Sequence, residues 1–238
     1  MFEAVENKTI SEIVIEQIQK KIITGELKVG DQLAPERELV QDLDISRSTL
    51  REALKALEVM GVIQSKRGNG SFVVNNTENS VYKPLSLSFV LSNGKNEDIM
   101  EARRVIEGYT ASKAAEKATE EDVQSLYAIL DKIDGAETVA EKSRFDSEFH
   151  YAIGRICGNT LLDLMLQGIS YVFDLFIEQM VEKAYLDQHS YTEINDEHRP
   201  IVDAIADHDV ERAKISMLHH INLIEKKWYE EKEKEINQ

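Results

Sequence analysis

"ISRSTLREALKALEVMG", residues 45–61, carries two stripes on one helical period. Ser46 is suited to cap the helix, because its hydroxyl can accept a backbone N–H of the first turn. Leu50, Ala53, Leu54 and Leu57 recur at the three- and four-residue spacing that lines one helix face, and Gly61 stops the run. Beside that apolar stripe, Arg47, Arg51 and Lys55 fall at i, i+4 and i+8 and form a basic ridge. A helix anchored by one face with a basic face beside it suits the major groove of DNA. Arginine can clamp guanine O6 and N7 with two hydrogen bonds, or reach phosphates. Ser46, Ser48 and Thr49 at the helix start can donate to phosphates, where the helix dipole also favours negative charge. The competing reading is an ordinary solvated face, and the ridge alone does not separate the two.

The flanking sequence adds the rest of a domain. Ile10, Ile13, Val14, Ile18 and Ile22 are spaced for a helix over 9–24, followed by the breaker "TGELKVGD". A short helix, "PERELVQDL", follows with Pro35 suited to its first turn. "VIQSKRGNGSFVV" is two short β-rich runs around a glycine-containing turn, which is hairpin chemistry. Three helices and a hairpin make the winged helix-turn-helix pattern. The polar "NNTENSVYKP" then reads as a linker ending at Pro84, and everything after it is helical by pattern. The expected organisation is mainly α: a winged helix-turn-helix over 1–76, a linker at 77–84, and an all-helical antiparallel bundle over 85–238. Helices are expected at 85–92, 96–118, 120–134, 137–157, 159–186, 190–207 and 209–234. Breaks fall at Asn93-Gly94, Thr119, Gly135, Gly158-Asn159, "DQHS" and Asp209.

The 238 residues suit two domains of ordinary size, and 42% apolar content supports a real core. A net charge of −16 argues against indiscriminate coating of nucleic acid or membrane. That charge is uneven: residues 1–75 hold 10 Lys+Arg against 12 Asp+Glu, and the remainder hold 18 against 32. A nearly neutral first third can still present a local basic ridge to DNA. Cys157 is the only cysteine, so no intrachain disulfide forms, and the reducing cytoplasm is the expected compartment. It is read as a small core residue. "MFEAVENKTISE" is too acidic and polar for a signal peptide. "LLDLMLQGISYVFDLFI" is interrupted by Asp163, Gln167 and Asp174, so it reads as a buried helix and not as a membrane span.

Over about 60 residues, "ITGELKVGDQLAPERELVQDLDISRSTLREALKALEVMGVIQSKRGNGSFVV" resembles the DNA-binding domain of the GntR family of bacterial transcription regulators. The matched runs are the "I-x-x-G-x-L-x-x-G" stretch, the "P-E-R" helix, "I-S-R-S-T-L-R-E-A-L" and the glycine-containing wing. The resemblance implies that Arg37, Arg47 and Arg51 contact DNA, with Arg67 and Gly68 at a wing tip that reaches the minor groove. One departure is local. "LAPER" stands where the family usually has "LPSER", which removes an N-cap before the helix holding Arg37.

Residues 96–234 resemble the FCD effector-binding domain of the FadR-like branch. The matching pieces are "EARRVIEGYTASKAA", "FDSEFHYAIGRICGNTLL" and "NDEHRPIVDAIADHDVERAKISMLHHI". This resemblance implies a divalent metal held by one Asp and three His, with a small organic acid sensed there. The residues support it independently. Asp146 and His150 lie four apart on the face continued by Ile153 and Cys157. His198 lies on the stripe Ile194, Ile201, Val202, Ile205, and His220 on Met217, Leu223, Ile224. One carboxylate and three neutral imidazoles on three helices suit Zn²⁺ first, and also Ni²⁺, Mn²⁺ or Fe²⁺, leaving positions for a carboxylate ligand. A single inward histidine is more often a hydrogen-bonded core residue; the convergence of four is what favours metal. Periodicity does not choose between His219 and His220, because Ile215 and Leu223 flank His219 at four-residue spacing; the family spacing selects His220. His208 is read as structural and His189 as an exposed loop residue. Arg103 matches the arginine of the family's "E-x-R-x-x-L-E" helix and is either an anchor for an anionic effector or the salt-bridge partner of Glu107. Asn159 is a candidate effector contact or simply an N-cap.

The expected function is a ligand-responsive regulator, read as a repressor. It is expected to be a homodimer on a palindromic double-stranded DNA operator, with a small carboxylate effector and no membrane. Two alternatives carry different chemistry: a metalloenzyme using the bundle site, or a regulator whose signal is the metal itself. Against an enzyme, the sequence shows no acid/base pair, nucleophile motif or phosphate-binding loop beyond the metal ligands.

Overall fold

The Thr9 hydroxyl accepts the Glu12 N–H while the Glu12 carboxylate accepts the Thr9 N–H, a reciprocal cap that starts α1 (Ile10–Ile23). In this computed structural model, residues 8–177 and 196–236 are described. α2 (Glu36–Asp42) has Pro35 in the cap position with no side-chain cap bond, as the departure at "LAPER" implied. α3 (Arg47–Val59) starts where Ser46 Oγ accepts the Thr49 N–H at 3.1 Å. Its four expected stripe residues, Leu50, Ala53, Leu54 and Leu57, are all buried, together with Val14, Ile18, Leu33, Ile63 and Val73. Ile10 and Ile13 of the same α1 periodicity are instead exposed, so the core side of α1 is narrower than its apolar spacing.

β1 (Ile63–Lys66) and β2 (Gly70–Val73) form the antiparallel wing, with Ile63 opposite Val73 and Lys66 opposite Gly70. Gln32 bridges to Phe72, and Leu33 N–H donates to Ser71 O, so the segment before α2 pins the wing on its second edge. Residues 78–84, read from the sequence as part of a linker, are helical. Glu78–Tyr82 makes a π-helical turn that runs straight into α4 (Lys83–Leu91). Pro84 therefore lies inside a continuous helical run, where its missing N–H leaves out one backbone hydrogen bond.

The chain divides between Pro84 and Leu85 into two compact units. The second is helical throughout its described residues: α5 (Asn96–Lys117), α6 (Glu120–Gly135), α7 (Val139–Cys157), α8 (Thr160–Ile177), α9 (His198–Ala206) and α10 (Val210–Ile236). Thr119 and Thr138 cap α6 and α7 reciprocally with Asp122 and Glu141. Gly158, at φ 72°, ends α7 in the left-handed conformation that favours glycine. α5 packs against α10, α7 and α8, and the core gathers Ala111, Ala114, Leu126, Phe149, Ile153, Ile201, Ile205, Met217 and Ile221. The "DQHS" break, His189 and Ile194 lie outside the described residues.

Candidate functional site

In the first unit the basic residues stand on the surface. Arg37, Arg47, Arg51, Lys55 and Arg67 are all exposed. Arg51 is not unpartnered: its Nε donates to Glu36 Oε2 at 3.0 Å, joining α3 to the start of α2. Ser46 Oγ lies 2.7 Å from Ser48 Oγ and 2.8 Å from Thr49 Oγ1, so the three hydroxyls form one chain at the helix start. At the wing tip Gly68 takes φ 81°, the left-handed region where a side chain is strained. Gly70 is fixed by a neighbour as well. A Cβ there would come within 2.8 Å of Gln32 Nε2, whose amide donates to Asn69 O.

In the second unit α7, α9 and α10 bring Asp146, His150, His198 and His220 together, each offering one ligand atom within 4.8 Å of the others. The three imidazoles are buried and the Asp146 carboxylate is largely so. His150 Nε2 lies 3.3 Å from His220 Nε2, and His198 Nε2 lies 3.1 Å from Asp146 Oδ1. Burial, the largest influence on Asp146, pushes its pKa up. The adjacent His198 ring, then His150 and the Arg103 guanidinium, outweigh it and bring the carboxyl down to about 2. Burial pushes His220 well below its ordinary value, which keeps that ring neutral.

This donor set fits a divalent metal ion. It supplies one anionic oxygen and three neutral nitrogens, the ligand types borderline transition metals take. His198 Nε2 and the Nδ1 atoms of His198 and His220 have no aligned hydrogen-bond partner among the described residues. An unpaired buried polar atom costs about 1–3 kcal/mol. For the nitrogens that point into the cluster, coordination removes that cost.

Arg103 and Glu107 come from α5, one turn apart. Arg103 Nε donates to Glu107 Oε1 at 2.6 Å, and both residues are buried, so the ion pair of the two alternatives is present. The Arg103 guanidinium also lies 4.7 Å from the Phe173 ring centre. Glu107 reaches further than the i, i+4 spacing showed, because its second oxygen lies 2.5 Å from His150 Nδ1. Its carboxyl is pulled well below the usual range. Burial pushes the other way but loses to the Arg103 guanidinium, which is hydrogen-bonded to it, and to the adjacent His150 ring.

The remaining candidates separate cleanly. Asn159 Oδ1 accepts the N–H groups of Leu161 and Leu162, so its side chain serves as the N-cap of α8. His219 faces away from the cluster; it is mostly exposed, with Nε2 3.4 Å from Glu197 Oε2. His208, at φ 54°, ties the α9–α10 corner to α5 through Nδ1 and Ala115 O at 2.8 Å. Asp209 beside it caps α10 by accepting the Arg212 N–H.

Known proteins carry the same two parts. Residues 98–223 match the FCD domain, and residues 10–73 match the "Bacterial regulatory proteins, gntR family". The HTH-type transcriptional regulator LutR of Bacillus subtilis (strain 168) is 32% identical over 209 residues, 86% of this chain and 94% of that one. The putative L-lactate dehydrogenase operon regulatory protein of Escherichia coli (strain K12) is 28% identical over 91% of this chain and 85% of its own. Among solved structures, Streptococcus agalactiae GntR superposes with a TM-score of 0.68 at 26% identity. It covers 90% of this chain and 98% of that one.

Proposed function

The chain belongs to the gntR family of bacterial regulatory proteins and is a DNA-binding transcription regulator with an FCD domain; we propose that its helical unit senses a small organic acid at a divalent metal centre. The observation that carries this reading is the convergence of Asp146, His150, His198 and His220 inside the bundle. A bound ion would supply a Lewis-acidic position for the carboxylate of the effector. Arg103, fixed by Glu107 and Phe173, stands beside the cluster as a second cation for the same anion. The E. coli relative is named for an L-lactate dehydrogenase operon, which supports a small organic acid as the class of effector.

On the DNA side, Arg47, Arg51 and Arg37 would read or clamp the operator while Arg67 and Gly68 carry the wing toward the minor groove. Ser46, Ser48 and Thr49 supply donors for phosphates. The working form is a homodimer on a palindromic operator, because one winged helix covers too few base pairs for useful specificity. Response to the effector follows from its unequal affinity for the chain's conformational states, the only means by which a ligand shifts such an equilibrium. Whether the outcome is the expected repression depends on where the operator lies relative to the promoter. No described helix is long and apolar enough to cross a membrane, and the relatives are transcription regulators rather than enzymes.

The test is operator binding by fluorescence anisotropy, using a DNA site selected from a random pool. A panel of small carboxylic acids that includes L-lactate is added to metal-loaded and chelator-stripped protein. The reading expects at least one acid to change operator affinity only in the loaded protein. An acid response unaffected by stripping would remove the metal from the reading.

A further inference from the structure

The Glu107 carboxylate spends its two oxygens on two different helices: Oε1 receives Arg103 Nε within α5 at 2.6 Å, and Oε2 meets His150 Nδ1 of α7 at 2.5 Å. Both Oε2 and Nδ1 are buried, and neither has another hydrogen-bond partner among the described residues. The two atoms do not form an aligned hydrogen bond, but at that separation one proton shared between them satisfies both. Arg103, on the other oxygen of the same carboxylate, already pairs the Glu107 charge. Of the three clustered histidines, His150 alone among the described residues has a carboxylate at its Nδ1.

We propose that Glu107 is the positioning residue of the centre. It holds His150 as the Nδ1–H tautomer, leaves Nε2 as the lone-pair donor toward Asp146, His198 and His220, and holds Arg103 beside it with its other oxygen. A carboxylate behind a ligating imidazole fixes both the tautomer and the aim of the ring and raises its basicity. A purely structural ion pair would need only one of the two oxygens. Because Glu107 joins Arg103 to His150, the cation and the metal ligand keep a fixed relation. The inference rests on reading the cluster as a metal centre, but its first test does not.

That first test is long-range ¹H–¹⁵N NMR of the ring nitrogens in the metal-free full chain, with the His150 signals assigned by their loss in His150→Gln. His150 is expected as the Nδ1–H tautomer, and an Nε2–H tautomer overturns the proposal whether or not metal binds. Glu107→Gln reverses the arrangement. A carboxamide has one acceptor and one donor side, Arg103 claims the oxygen, and the NH₂ group then faces Nδ1 and forces the other tautomer. In Glu107→Gln the Zn²⁺ affinity, measured by chelator competition, is expected to fall about 10–100-fold. If that variant does not fold, the charge-free pair Arg103→Met with Glu107→Leu takes its place; it leaves Nδ1 no acceptor, and the same loss is expected. Zn²⁺ binding equal to the parent's in the folded variant overturns the positioning role while the metal centre stands. A parent chain that takes up no Zn²⁺ overturns the metal centre itself.

Discussion

Asp146 Oδ1 and His198 Nε2 stand 3.1 Å apart across α7 and α9, and the nitrogen nonetheless has no aligned hydrogen bond. Proximity without a donor–acceptor line is what two ligands of one ion show in its absence. Asp146→Asn keeps the shape and removes the anionic oxygen. Since losing a residue that merely orients a ligand costs about 10–100-fold in metal affinity, losing this ligand is expected to cost more than that. Chelator competition with Zn²⁺ measures it; an unchanged affinity would show that Asp146 is not a ligand.

His150 and His219 separate sensing from the rest of the surface. His150→Ala is expected to abolish the response of operator affinity to any active acid. Basal operator binding, carried by the first unit, should stay within about three-fold of the parent, less than one good base contact is worth. His219→Ala, outside the cluster, is expected to leave the response intact. Anisotropy titrations of both variants check the contrast, and loss of the response in the His219 variant would place the cluster wrongly.

Metal uptake is expected to weaken as pH falls. Each imidazole must be neutral to ligate, so protons compete as pH drops through the unperturbed histidine range near ~6.5 and below. Burial holds His220 neutral to lower pH than that, and Asp146 stays ionised to about 2, so the carboxylate is not what releases the ion. Zn²⁺ isotherms between pH 8 and pH 5 should show affinity falling with acidity and proton release on binding; an affinity independent of pH would exclude imidazole ligands.

Much of this was legible in the sequence because periodicity reports which face is buried. The stripe Leu50, Ala53, Leu54, Leu57 and the inward positions of His150, His198 and His220 are consequences of the helical repeat. Apolar spacing could not rank His219 against His220, since adjacent residues flank the same stripe; the family resemblance pointed to His220, and in the fold His220 is buried while His219 is mostly exposed. Glu107 stood in the sequence only as the i, i+4 salt-bridge partner of Arg103, and its reach to His150 depends on how α5 packs against α7, which no local pattern encodes. The helical character of residues 78–84 was hidden by a polar composition that also suits a loop.

Arg47→Ala and Arg51→Ala are expected to lose discrimination between a selected operator and scrambled DNA, each by about 1–3 kcal/mol for a bidentate base contact. Glu36 places a carboxylate against Arg51 Nε on the expected DNA face, so Glu36→Gln is expected to tighten non-specific binding at low salt and to do so less at high salt. Competition anisotropy across a salt series reads all three; parental selectivity in both arginine variants would remove α3 from the groove.

Light scattering on the full chain at micromolar concentration should give a mass near twice 27.1 kDa, with and without operator. A 27.1 kDa species in both conditions would contradict the homodimer.

Metal content tests the central claim most directly. Elemental analysis of chain purified without chelator, and of stripped chain re-exposed in turn to Zn²⁺, Ni²⁺, Mn²⁺ and Fe²⁺, is predicted to find one equivalent of divalent ion per chain. The same analysis is predicted to find none in His150→Ala, His198→Ala or His220→Ala. A parent chain that neither contains nor takes up any first-row divalent ion would contradict the account, and the cluster would then be a buried hydrogen-bonding group alone.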